Sequence, residues 1–195
     1  MDEGYIKYQS FWTRKKISVD PLIFRELNRR RDYYYRKNWI GVDPSGIGFG
    51  NISMRLNGNS FIISGSATGG LEALNLSHYA IVTDYDFARN RLSCTGETEA
   101  SSESLTHAAL YESDAAIQCV LHMHSRALWI KHRRTLPATP EDVAYGTPQM
   151  AYAIQEARRQ INGREGVILM AGHEDGIIAF GESFHKIEAV MAELC

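Results

Sequence analysis

The sequence predicts an α/β domain built on a largely antiparallel or mixed sheet. Three observations carry this expectation. Helical and extended patterns alternate along the chain. The dipeptide Asn57-Gly58 stands between two apolar segments, which is a hairpin signal. The run Ala115-Ala116-Ile117-Gln118-Cys119-Val120-Leu121 is short, contains Val and Ile, and reads as a buried strand. Hairpins mixed with helices argue against a doubly wound parallel sheet.

The elements follow in order. Asp20-Pro21 pairs an N-cap residue with proline at the first helical position, and opens a helix through Leu22, Phe24, Leu27 and Tyr34. A glycine-rich turn follows, Gly41 to Gly50. Strands are expected at Asn51 to Arg55, Ser60 to Ser64 and Tyr79 to Asp84. Glu103 to Glu112 reads as a helix, and the apolar run after it ends in His122-Met123-His124. Ser125 to Arg133 is a short helix. Thr147-Pro148 repeats the cap-then-proline signal and starts a helix to about Ile161, stopped by Gly163. Val167 to Ala171 and Gly176 to Phe180 are strands around a polar turn, and Ser183 caps a last helix.

The bulk numbers exclude some functions. A chain of 195 residues suits one domain spanning 1–195 with a sizeable core. A hydrophobic content of 44% and a charged content of 23% are those of an ordinary globular protein. A net charge of -2 argues against a nucleic-acid partner held by a basic surface. No apolar stretch approaches the roughly 18 residues that span a bilayer, so no membrane partner is expected. The N-terminus shows no signal-peptide pattern, and Cys94, Cys119 and Cys195 form no spaced framework. The expected location is cytoplasmic.

His122 and His124 carry the chemistry. Residues i and i+2 of a strand share a face, so the two imidazoles project together while Met123 points the other way. Two neutral imidazoles side by side are half of a metal site. His173 is the third candidate, in the turn Gly172-His173-Glu174-Asp175-Gly176 at a strand end. Glu103 is the fourth, in the first turn of a helix, where negative charge is favoured. Three histidines with one labile carboxylate suit a catalytic metal, because the carboxylate can leave the metal and act as a base. Taken singly, each histidine also fits plain packing. His107 lies one helical turn after Glu103; it fits a partner of the site or a solvent-facing or interface residue. His78, His132 and His185 read as ordinary. The cluster Arg29-Arg30-Arg31 with Arg36-Lys37 fits an anionic partner, but a solvated helix face or a subunit contact is the preferred reading.

The ordered set Gly50-Asn51-Ile52-Ser53-Met54-Arg55, Thr68-Gly69, Ser101-Ser102-Glu103 with His107, His122-Met123-His124, Tyr145-Gly146-Thr147 and Gly172-His173 resembles the class II aldolase/adducin family. The order matches its metal-dependent members of the fuculose-1-phosphate aldolase and ribulose-5-phosphate 4-epimerase type. The resemblance runs from about Gly41 to Phe180. It implies a three-layer α/β/α sandwich around a central, mainly antiparallel sheet. It implies homo-oligomers, commonly tetramers, with sites near subunit interfaces. The metal ligands would be His122, His124 and His173, with Glu103 as the acid/base. Asn51, Thr68, Gly69, Ser101 and Ser102 would form an anion pocket, which agrees with glycine-rich turns and a helix N-terminus offering N–H donors. The metal would be Zn2+, or another divalent ion such as Mn2+ or Co2+.

The implied chemistry is that of a lyase. A divalent metal chelates neighbouring hydroxyl and carbonyl oxygens of a small hydroxylated keto compound, including sugar phosphates, and stabilises the enediolate formed when a carbon–carbon bond breaks. Epimerases, dehydratases and decarboxylases can share that ligand set, and a non-enzymatic adducin-like module can share the fold. The sequence also departs from the pattern. Gly48-Phe49 stands where the aldolases often carry a phosphate-binding threonine. The segment from His124 to Tyr145 is shorter than in the aldolases, whose longer insert contributes a tyrosine. A gap-free reading of the last turn puts Asp175 at the ligand position; His173 is preferred because a third imidazole suits zinc and a turn can absorb two residues.

Overall fold

The computed structural model describes residues 5–195. Ten strands and five α-helices alternate along them. The strands are β1 (Gln9–Arg14), β2 (Gly41–Val42), β3 (Gly48–Phe49), β4 (Asn51–Arg55), β5 (Phe61–Ser64), β6 (Tyr79–Asp86), β7 (Arg91–Gly96), β8 (Cys119–His124), β9 (Gly166–Leu169) and β10 (Gly176–Gly181). The helices are α1 (Pro21–Arg36), α2 (Ser104–Ser113), α3 (Arg126–His132), α4 (Pro148–Arg159) and α5 (Phe184–Leu194). Among these residues no helix is long and apolar enough to cross a membrane.

Eight strands form one sheet in the order β1-β7-β6-β5-β4-β8-β10-β9, while β2 and β3 form a separate ribbon. Every neighbouring pair in the large sheet is antiparallel except β1 and β7. Helices cover both faces. On one, α2 and α4 pack Leu105, Ala109, Met150 and Ile154 against Val120, Ile178 and Phe180. On the other, α1, α3 and α5 pack Leu27, Leu128 and Ile187 against Ile52, Leu121 and Met123. The result is the expected three-layer α/β/α arrangement.

The local signals explain most helix starts. Asp20 accepts a hydrogen bond from the Leu22 N–H and Pro21 begins α1. Thr147, Ser125 and Ser183 accept in the same way from Met150, Leu128 and Lys186. Helix α2 is buried nearly all round, from Ser104 to Tyr111, so its sequence lacks a polar stripe.

Four strands were not expected from the sequence. The two-residue strands β2 and β3 fall inside the expected glycine-rich turn, Gly41 to Gly50, whose ends pair with each other. In β7, Leu92 and Cys94 are buried, but Arg91, Ser93 and Thr95 alternate with them and dilute the apolar signal. Strand β1 is an edge strand with an almost wholly exposed pattern. It is held by its parallel pairing to β7 and by the Trp12 indole N–H, which donates to the Gly96 carbonyl at 2.9 Å. Backbone pairing of this kind leaves little trace in hydropathy.

Candidate functional site

Strand β8 lies between β4 and β10, in the middle of the sheet. His122 faces Asn51 across the ladder to β4, and its side chain is on the α2 and α4 side. Met123 points into the opposite core, as the strand period requires. On the other flank, His124 pairs with Gly176 of β10. The turn joining β9 to β10 therefore sets His173 beside it, closed by the His173 N–H donating to Met170 and the Gly176 N–H donating to His173. Gly176 has no room for a side chain: a Cβ there would sit 2.2 Å from Cδ2 of the His173 ring.

These three imidazoles converge. Ring centroids are separated by 5.1 Å for His122 and His124, 5.2 Å for His122 and His173, and 4.8 Å for His124 and His173. Each offers one ligand nitrogen within 4.8 Å of the others. Nε2 of His124 lies 2.8 Å from Nε2 of His173, a hydrogen bond in which one ring donates. Two nitrogens on one tetrahedral zinc would stand about 3.4 Å apart at normal bond lengths, so an ion would require this pair to open and give up its hydrogen bond. Asp175 lies elsewhere. Its carboxylate is 3.6 Å from the Arg126 guanidinium, in a residue with φ of 65°.

One cleft gathers the remaining expected residues. Asn51, Thr68, Gly69, Ser101, Ser102 and Glu103 line it together with His122 and His173. Glu103 is 3% exposed and is the N-cap residue of α2, so the helix begins one residue later than expected. The Ser101 turn ahead of it is held by the Tyr8 hydroxyl, which donates to the carbonyls of Ala100 and Ser101, each at 3.1 Å. Thr68 donates from Oγ1 to the Gly65 carbonyl at 2.7 Å. The side-chain oxygen of Asn51 is buried and meets no hydrogen-bond partner, which suits a donor on a ligand.

Two aromatic residues of the lining, Tyr145 and Phe49, were not among the expected site residues. Tyr145 packs edge-on against His173 with centroids 5.0 Å apart, and Lys7 lies 3.9 Å over its ring. The Tyr145-Gly146-Thr147 motif was the signal available for it. Phe49 packs against His124 at 5.1 Å. It gives the cleft an aromatic wall at the position where the sequence departs from the family's threonine.

Burial, then the neighbouring imidazoles, holds His122 well below the usual histidine range, so its ring is neutral and its lone pair is available. His107 is also fully buried, which excludes the solvent-facing alternative. Its Nδ1 lies 2.7 Å from Ser53 Oγ, which in turn lies 2.7 Å from the Tyr111 hydroxyl. Burial pushes the His107 imidazole down to about 3. The sign of the consequence is fixed by linkage. Between about pH 6.5 and 3 the unfolded chain binds a proton that folded His107 refuses, so stability is present above that window and is lost as pH falls. We expect a loss of up to about 1.4 kcal/mol per pH unit from this group, with His122 acting in the same direction. Denaturant titrations from pH 7 to pH 4 measure it. An unchanged slope in a folded His107→Gln variant would refute the assignment.

The fold and this histidine-lined cleft define a class: an α/β/α sandwich with a largely buried three-imidazole cluster in a cleft that also holds a carboxylate. Residues 45–194 match the family model described as the Class II Aldolase and Adducin N-terminal domain, and the chain belongs to that family. Solved structures share the fold. The L-fuculose-1-phosphate aldolase of Thermus thermophilus aligns with a TM-score of 0.64 at 18% identity, over 88% of each chain. YgbL of Klebsiella pneumoniae, described as a putative aldolase/epimerase/decarboxylase, gives 0.67 at 17% identity, over 91% of this chain and 87% of that one. A sugar-phosphate aldolase of Thermotoga maritima gives 0.63 at 14% identity, over 89% and 92%. At such identities the likeness is one of fold. No curated protein matches the chain at a significant level.

Proposed function

We propose that this protein is a divalent-metal-dependent lyase, an aldolase that breaks or forms a carbon–carbon bond in a small hydroxylated keto compound bearing an anionic group such as phosphate. The observation that carries this reading is the convergence of three imidazoles at one end of a cleft whose wall holds the buried carboxylate of Glu103. The neutral nitrogens of His122, His124 and His173 fit a divalent ion, with zinc the natural choice and manganese or cobalt acceptable. Such an ion would polarise adjacent substrate oxygens and stabilise the negative charge that develops there.

The chain's own groups do the rest. Glu103 moves a proton to or from the substrate carbon at which the bond breaks or forms. Asn51, Thr68, Gly69, Ser101 and Ser102 hold the anionic end and so fix which carbon faces Glu103. Phe49 and Tyr145 shield the imidazoles from solvent. An epimerase, dehydratase or decarboxylase would use the same groups on a different substrate. We place the protein in the cytoplasm as a homotetramer; the outer edge of β1, with Phe11 50% exposed, suits burial in such an assembly.

Elemental mass spectrometry of the native full chain tests the reading, followed by a screen of keto-sugar phosphates for aldehyde release. We expect about one divalent ion per chain and turnover that a chelator abolishes. A protein that carries no metal and takes none up would instead be a non-enzymatic interaction module.

A further inference from the structure

Arg31 stands outside the solvated face that its neighbours form. Arg30 pairs with Glu26 and Glu188 on the surface of α1. Arg31 is 1% exposed and reaches inward. Its Nη2 donates to the carbonyls of Thr68 and Gly69, each at 3.0 Å, and its Nη1 to the carbonyl of Glu72 at 3.1 Å. The guanidinium stacks over Tyr35 at 4.6 Å. The carboxylate of Asp32 forms a longer ion pair with it, at 3.8 Å. The buried cation is thus held by three carbonyl dipoles and one longer ion pair, at a desolvation cost that a second anion nearby would offset further.

The loop it grips is the one that lines the cleft. Ala67 is held at φ of 58°, a left-handed conformation unfavourable for a residue with a Cβ. Gly69 is pressed against the β2–β3 ribbon so closely that a Cβ would sit 2.4 Å from the Gly41 carbonyl. The loop is therefore neither relaxed nor free to move.

Peptide geometry then links Arg31 to the cleft. In a trans peptide the C=O and N–H point in opposite directions, and the described residues contain no cis bond. The carbonyls of Thr68 and Gly69 face Arg31, so the N–H groups of Gly69 and Gly70 face away from it. Neither N–H meets a backbone acceptor among the described residues. A charge on the carbonyl side of a peptide polarises it and strengthens the donor on the other side.

We propose that Arg31 is a positioning residue: it fixes and polarises the Thr68–Gly69 and Gly69–Gly70 peptides so that the N–H of Gly69, which lines the cleft, binds the anionic group of the substrate. The proposal rests on the anion-cleft reading above, and goes beyond it by assigning the buried cation of α1, which precedes the span matched by the family model.

Inorganic phosphate is the probe, titrated calorimetrically into the metal-loaded full chain. We expect Arg31→Gln to weaken phosphate binding at least about tenfold, the loss of one charge-assisted interaction. Arg31→Lys keeps the charge but reaches fewer carbonyls, and should lie between it and the native protein. Metal content should be unchanged in both, a result that general unfolding would not give. Amide resonances provide a second measurement on the native protein, where phosphate should shift the Gly69 N–H signal. A native chain that binds no phosphate overturns the anion-cleft reading and this proposal with it. Native binding with unchanged affinity in folded Arg31→Gln overturns the role of Arg31 alone. Should neither variant fold, a shift at the Gly69 amide upholds the proposal and silence there overturns it.

Discussion

Glu103→Gln is expected to keep its metal and lose turnover by about a hundredfold to ten-thousandfold, the usual worth of a positioned acid or base. The amide has nearly the shape of the carboxyl group but cannot carry the proton. The substitution is mild for the fold. Glu103 is the N-cap residue of α2, yet its side chain makes no capping hydrogen bond, so helix formation does not depend on its charge. The Ser101 turn that presents it is fixed from outside by Tyr8. Steady-state rates on the substrate found by screening, with metal content measured in parallel, decide the matter. A variant that turns over at the native rate would remove Glu103 from the proton-transfer role. A variant that loses its metal would make Glu103 a ligand instead.

His122→Ala should leave the chain folded and nearly metal-free. The imidazole contributes one of three convergent nitrogens. Removing it leaves the pair of His124 and His173, which are already hydrogen-bonded to one another and can stay so. The backbone of β8 keeps both its ladders, to β4 and β10, because these use main-chain groups. Cooperative unfolding by circular dichroism should therefore survive. Elemental analysis after dialysis should fall from about one ion per chain to a small fraction of that. Full occupancy in the variant would sink the ligand assignment, since a site indifferent to its most buried imidazole is not this one.

The sequence revealed the apolar strands of the sheet better than its β1–β7 edge. Strand β8 was legible because Val120 and Leu121 are buried and because His-x-His has a fixed geometric meaning on a strand. The caps at Asp20, Ser125, Thr147 and Ser183 were legible because a side-chain oxygen there serves the first helical turn. Strand β1 was not, since it contributes little apolar burial to the fold. The convergence of His173 with His122 and His124 depended on how one turn absorbs two residues, and spacing alone left Asp175 as an alternative. Arg31 was misjudged for a similar reason. It sits among arginines of which Arg29 and Arg30 pair near the surface, and only the tertiary position of the Thr68 loop distinguishes it.

The register of the sheet has a consequence for how the chain reaches its native state. The hairpins β4–β5, β6–β7 and β9–β10 join neighbours in sequence, but β8 must find β4 and then receive β10 across long intervening segments. Pairings of that kind cost loop entropy before they return any contact energy, and they slow folding. A nascent chain holds only the His122 and His124 pair as a local ligand set. The third nitrogen arrives when β10 docks beside β8, so tight capture of an ion coincides with closure of the sheet. The ion should therefore slow unfolding far more than it speeds folding, and added metal should lengthen the lifetime of the native chain.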